Sequence, residues 1–98
     1  MDIKELTQMM HDFVSSQGWY QSDTKRPQTP RNLAISLLLE AAEVLELFQW
    51  QENLTEKTAL SDELADVFLY LLQLASISGI DLENATLAKL SKNYKRTW

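Results

Sequence analysis

Six consecutive apolar residues, Val67 to Leu72, constrain the fold of this chain more than any other feature. The surrounding segment holds no glycine or proline between Thr58 and Gly79, and its apolar residues do not alternate with polar ones, so it is predicted to be a helix. Six successive helical positions point to every side of a helix, and a helix that is apolar on every side is buried on every side. Because a chain of 98 residues has little else to cover it, we expect another subunit to do so.

Two glycines and two prolines divide the chain into four predicted helices, joined near the start by an exposed loop over residues 18–29. No β-branched alternation predicts a strand. We therefore predict one all-α domain over residues 1–98, with four helices per subunit in an antiparallel bundle that oligomerisation completes. The expected helices run from about residue 3 to Gln17, from Pro30 with Thr29 as its N-cap to about Gln51, from Thr55 or Thr58 to near Gly79, and from Leu82 with Asp81 as its N-cap to about Arg96.

Charge and composition exclude several classes of function. The net charge of −5 argues against a nucleic-acid partner, because phosphate contacts need clustered lysine and arginine. The absence of cysteine excludes disulfides and thiolate metal sites, and favours a cytoplasmic protein. No run of about 18 apolar residues is present to cross a membrane, and no signal peptide is visible.

Four acidic residues lie inside the two most apolar helices. Glu40 and Glu43 share one face of the second helix, and Glu63 and Asp66 share one face of the third, because each pair is spaced i, i+3. Burying carboxylates among apolar neighbours costs several kcal/mol each unless they are compensated. A divalent cation is the simplest compensation, and a ligand set made only of oxygen predicts Mg²⁺, with Mn²⁺ as a substitute.

Acids at this spacing are also common on solvated helix faces, and a single pair would favour that interpretation. Two pairs on adjacent helices, both flanked by apolar residues, favour the metal site. A di-iron carboxylate bundle shares the pattern but needs Glu-x-x-His ligands. The only histidine is His11, which Gln8 precedes by three positions, so those ligands are missing.

The acids belong to a longer pattern that resembles a known family. Glu40-x-x-Glu43, then Glu63-x-x-Asp66, resembles the ExxE…ExxD signature of the MazG-like all-α NTP pyrophosphohydrolases. The segments PRNLAISLLLEAAEVLELFQW and ELADVFLYLLQLASISGIDL, with a C-terminal K-x3-N-x2-R pattern, are similar to the dCTP pyrophosphatase branch. The similarity extends over about residues 9 to 98.

This resemblance implies a reaction and a set of site residues. The family splits a nucleoside triphosphate into monophosphate and pyrophosphate, with Mg²⁺ on the four acids, in dimers or dimers of dimers. The base occupies an aromatic pocket near a subunit interface. Met10 stands where the branch can carry a pocket histidine, which leaves the base preference open. By position, Trp19, Trp50, Tyr70 and Asn93 match pocket residues, and Lys89 and Arg96 match residues on the phosphate side.

The same residues have simpler interpretations. Tryptophans in loops and at helix ends stack nucleobases, but they also pack in cores and lids. Lys89, Asn93 and Arg96 share one helix face, which is either a phosphate-binding strip or a solvated surface beside the negative end of the helix dipole.

The leading hypothesis is an Mg²⁺-dependent dNTP pyrophosphohydrolase, dCTP-preferring, that clears unwanted nucleotides from the pool. We expect a homotetramer, with a dimer as the second choice. The alternatives are a catalytically inactive nucleotide-binding or regulatory module on the same bundle, and an inert interaction bundle.

Overall fold

The computed structural model describes all of residues 1–98, and it contains four α-helices and no strand. This confirms the predicted all-α class. The helices are α1 (Ile3–Ser16), α2 (Pro30–Glu46), α3 (Thr58–Ile77) and α4 (Leu82–Lys95).

Short polar side chains start three of the helices as the sequence predicts. Asp2, Thr29 and Asp81 each accept a hydrogen bond from the backbone N–H three residues further on, at 2.8, 3.2 and 3.0 Å. Each bond satisfies one of the N–H groups that a helix leaves unpaired in its first turn. Pro30 occupies the first helical position of α2, where its missing N–H costs nothing.

Helix α2 ends at Glu46, earlier than the predicted Gln51. The N–H groups of residues 47, 48 and 49 bond to the carbonyls three residues back, so the chain tightens into turns there instead of continuing the helix. Helix α3 begins at Thr58, the later of the two predicted starts. The Glu56 carboxylate accepts hydrogen bonds from the N–H and the hydroxyl of Thr58, at 2.9 and 2.6 Å, which closes this end of the helix.

Helix α3 is the centre of the subunit, because α2 packs along it and α1 packs against its C-terminal half. Only six residues are buried, so a single chain has a very small core. One of the six is polar, Gln73, which is 2% exposed. The apolar members are Met10, Val14, Leu33, Leu72 and Ala75.

Much apolar surface stays uncovered within one chain. On α2, Leu38 and Leu45 are 71% and 72% exposed, and on α3 Leu64 is 50% exposed. Helix α4 turns away from α3 at an angle of 100°, contacts only α3 among the helices to any extent, and buries no residue. The fourth helix therefore does not lie alongside the other three in the isolated chain.

No single helix is long and apolar enough to cross a membrane, although α3 and the sharply angled α4, taken together, have sufficient length and apolar character.

Candidate active site

Three acidic side chains from two helices converge at one point. Glu40 and Glu43, one turn apart on α2, meet Glu63 on α3, and one carboxylate oxygen of each lies within 4.8 Å of the others. The i, i+3 spacing puts the first two on one face of α2, and the packing of α2 along α3 brings the third to them. We call these three residues the acid cluster.

The acid cluster holds more negative charge than the protein around it neutralises. The pKa of Glu63 rises to about 7, first because its protonated form hydrogen-bonds to Glu43, and then because of partial burial and neighbouring acids. The pKa of Glu40 is raised as well, mainly by burial and then by the charge of Glu43. One oxygen of Glu40 and one of Glu63 are enclosed and have no hydrogen-bond partner. Such orphaned carboxylate oxygens are suited to a cation.

Asp66, the fourth predicted acid, lies at the edge of this arrangement. It is not among the three residues whose oxygens meet within 4.8 Å. Its charge nevertheless raises the pKa of both Glu40 and Glu63, so it stands close to them. Asp66 also shares the wall of a neighbouring cavity with Glu40.

That cavity has a volume of about 340 Å³ and runs between α1, the loop after it, α2 and α3. Two of the predicted pocket residues, Trp19 and Tyr70, lie in its wall together with Glu40 and Asp66. Its apolar lining and single acidic edge are typical of a site for a molecule with an apolar ring and a charged end. We call it the apolar cavity. The other lining residues are Leu6, Met9, Met10, Phe13, Val14, Gln28, Leu69 and Gln73.

Trp19 is fixed from two directions. Phe13 meets its ring edge-on, with centroids 5.9 Å apart and planes at 90°. The Arg26 guanidinium lies 5.4 Å from the ring centroid, in a cation–π contact that the 18–29 loop makes possible. Both contacts hold the indole in the wall of the apolar cavity.

The other predicted substrate residues lie apart from this cavity in the isolated chain. Trp50 is 90% exposed after the end of α2. Lys89 and Arg96 are exposed on and just after α4, and the Arg96 guanidinium lies 4.1 Å from the ring of Trp98. Asn93 is half-buried, and its side-chain oxygen is enclosed without a hydrogen-bond partner. None of these four residues lines the apolar cavity.

The sequence profile of the MazG-like family matches residues 35–97, which include all of the acid cluster. The chain belongs to the MazG-like family. The resemblance to the family that the sequence predicted is therefore confirmed.

Related proteins agree with this assignment. The chain is 31% identical over 103 residues to dCTP pyrophosphatase 1 of Rattus norvegicus and 32% identical to dCTP pyrophosphatase 1 of Homo sapiens. In each case 96% of this chain is aligned, but it spans only 58% of the length of these relatives. A crystal structure of a pyrophosphatase from Archaeoglobus fulgidus superposes with a TM-score of 0.81 at 34% identity, over 95% of this chain and 89% of that one.

Sequence reasoning missed one group of residues in this MazG-like chain, a network of amides and hydroxyls beside the apolar cavity. Gln73 is the central residue of this network, and it directly follows the apolar run of α3 in the sequence. A lone amide among leucines is a signal that such a residue has buried hydrogen-bond partners. Met10 lines the cavity, whereas its neighbour His11 bonds to Tyr20 and Ser76, at 2.6 and 2.7 Å.

Proposed function

We propose that this MazG-like protein hydrolyses a nucleoside triphosphate to the monophosphate and pyrophosphate. The observation that carries the proposal is the acid cluster, formed by Glu40, Glu43 and Glu63 at the edge of an aromatic-lined cavity. In this reaction a water oxygen forms a new bond to phosphorus. The bond between that phosphorus and the oxygen bridging the α- and β-phosphates breaks, which separates the monophosphate from pyrophosphate. The water proton passes to solvent.

The acid cluster fits a hard divalent cation, and we propose Mg²⁺, with Mn²⁺ as a substitute. All its donor atoms are carboxylate oxygens, which both ions prefer, and two of those oxygens have no other partner. Glu40, Glu43 and Glu63 would hold the ion, and Asp66 would complete the site from its edge. When bound, the cation would neutralise phosphate charge and polarise the phosphorus–oxygen bonds.

The chain's own residues have two further tasks in this proposal. Trp19 and Tyr70 bind the base in the apolar cavity, where stacking on an aromatic ring contributes about 1–3 kcal/mol. Asp66 is one turn from Tyr70 on α3 and lies in the same cavity wall, so a base held by Tyr70 directs its phosphates towards the acid cluster. This placement orients the substrate in the same way whichever base it carries.

We propose a deoxynucleotide substrate, with dCTP first among the candidates, and a role in removing unwanted nucleotides from the cytoplasmic pool. Support comes from the related proteins, which are dCTP pyrophosphatases, and from the aromatic cavity. The acid cluster does not contribute to this choice, because the triphosphate is the same in every nucleotide.

We further propose a homo-oligomer, a tetramer before a dimer. Apolar residues of α2 and α3, such as Leu38, Leu45 and Leu64, are half or more exposed in one chain, and large exposed apolar patches are uncommon on monomers. A partner subunit covering this face would give Trp50 and the polar residues of α4 a place near a neighbouring active site. Lys89, Asn93 and Arg96 then remain candidates for phosphate and base contacts.

A panel of all dNTPs and NTPs, with Mg²⁺ or with EDTA and a pyrophosphate readout, tests the proposal. We expect metal-dependent release of pyrophosphate from at least one dNTP. Nucleotide binding without turnover would instead support the catalytically inactive module, and neither binding nor turnover would support the inert bundle.

A further inference from the structure

Gln73 is the only buried polar residue of the subunit, and it lies in the wall of the apolar cavity. An amide in such a position has two N–H donors on one end and an oxygen acceptor on the other. Which end faces a ligand depends on the partners that fix the amide. In Gln73 those partners determine the orientation completely.

The orientation of the Gln73 amide is determined by the backbone carbonyl of Arg26, to which Gln73 is linked through the side chain of Gln28. The side-chain nitrogen of Gln28 donates to the carbonyl oxygen of Arg26 at 2.7 Å, and a carbonyl oxygen can only accept. The amide of Gln28 must therefore present its oxygen to Gln73, which donates to it at 2.9 Å. The usual ambiguity between amide nitrogen and oxygen is removed at both residues.

The second N–H of Gln73 is used by Tyr20. It donates to the phenol oxygen at 3.2 Å, and the same hydroxyl forms a hydrogen bond with Nδ1 of His11 at 2.6 Å. Nε2 of His11 forms a hydrogen bond with the Ser76 hydroxyl at 2.7 Å. Burial raises the pKa of the Tyr20 phenol, against a smaller opposite effect of the Gln73 bond.

Both donors of Gln73 are thus occupied, and its side-chain oxygen receives no hydrogen bond from the protein. That oxygen is also not among the atoms that the protein encloses without a partner. Gln73 lines the apolar cavity, and its oxygen is the one polar atom of the side chain without a protein partner, so it is the atom that a ligand there can use.

We propose that Gln73 determines base preference by accepting a hydrogen bond from the exocyclic amino group of the base, favouring a 4-amino pyrimidine over a 4-oxo pyrimidine. This inference rests on the proposed function for the identity of the ligand. A 4-oxo group would set one acceptor against another in an apolar setting, where unpaired polar groups discriminate strongly. Gln28 also lines the cavity, but its amide oxygen accepts from Gln73 and its nitrogen donates to Arg26, whereas Asn93 does not line the cavity.

The test measures binding as well as turnover. Titration calorimetry gives the affinities for dCMP and dUMP, and initial rates with Mg²⁺ give kcat/KM for dCTP and dUTP. We expect the wild type to prefer the cytosine member of each pair. Gln73→Met keeps the shape and removes the acceptor, so the preference should fall by about three- to tenfold, the effect expected of one neutral hydrogen bond. Gln21→Met makes the same change at an exposed position and should leave it unaltered.

A further variant tests the orientation of the amide. Gln28→Met removes the oxygen that accepts from Gln73, so the Gln73 amide is free to turn over and the preference should weaken. If Gln73→Met and Gln28→Met prefer cytosine over uracil as strongly as the wild type does, the inference is overturned even if the protein is an active pyrophosphohydrolase.

The two proposals fail in different ways. If the wild type releases no pyrophosphate but binds dCMP over dUMP in a manner that depends on Gln73, the proposed function is wrong and the base-reading role of Gln73 stands. If neither monophosphate binds to the wild type and no triphosphate is turned over, both are overturned.

Discussion

Replacing Tyr20 by phenylalanine removes one oxygen atom and two hydrogen bonds that join the 18–29 loop to α1 and α3. The hydroxyl forms a hydrogen bond with Nδ1 of His11 at 2.6 Å and accepts one from Gln73 at 3.2 Å. Each neutral hydrogen bond contributes about 0.5–1.5 kcal/mol to stability, so the two together amount to roughly 1–3 kcal/mol. Because Tyr20 is 39% exposed, water replaces part of the loss, and we expect about 1–2 kcal/mol.

Thermal unfolding followed by circular dichroism measures this loss. For a domain of this size about 1 kcal/mol corresponds to a change of about 4–8 °C in Tm, so Tyr20→Phe should lower Tm by roughly 4–16 °C. Wild type and variant must be compared at one protein concentration, since the proposed subunit association would make Tm depend on concentration. Tyr94→Phe is the matched control, because Tyr94 is 90% exposed and should not affect Tm. Equal Tm values for Tyr20→Phe and wild type would refute the hydrogen-bond network as a structural element.

The acid cluster and the exposed apolar surface can each be tested directly. Replacing one acid of the cluster by glutamine should reduce Mg²⁺-dependent pyrophosphate release by at least about 10–100-fold, in each of Glu40→Gln, Glu43→Gln and Glu63→Gln. The control is Glu46→Gln, at an exposed position of α2, which should change initial rates little. Without metal, Tm should fall as pH rises from 5.5 to 7.5. The pKa of Glu63 is about 7 in the folded protein and 4.5 ordinarily, so the folded state binds the proton more tightly and loses this advantage as pH rises. A Glu63→Gln variant that keeps the full pH dependence would contradict this. Light scattering should give a mass several times the 11.3 kDa of one chain, and a soluble particle of single-chain mass would rule out the oligomer.

The sequence was sufficient for those parts of the fold that local chemistry determines. Thr29 and Pro30 mark the start of α2 through a capping bond and a fixed backbone angle, and both act within one turn of the helix. The end of α2 was not predictable in the same way. Leu47 and Phe48 continue the apolar pattern, and only the tighter hydrogen bonds of the folded chain show where the helix stops.

The same distinction applies to the site. The i, i+3 spacing of Glu40 and Glu43 predicts a shared helix face, and the structure brings Glu63 to it. The role of Gln73 depends on partners 45 and 53 residues away in the chain, and no local pattern encodes such contacts. Trp50 and the residues of α4 lie on surfaces that one chain leaves open, and no contact within the chain brings them to the apolar cavity.

The most direct test of the central claim is to follow dCTP by ³¹P nuclear magnetic resonance, first with EDTA and then after addition of Mg²⁺. We predict that the triphosphate signals persist in EDTA, and that after Mg²⁺ is added they are replaced by equal amounts of monophosphate and pyrophosphate. With Glu43→Gln the same sample should change far more slowly. Formation of a nucleoside diphosphate and orthophosphate, or turnover at the same rate in EDTA, would contradict the account.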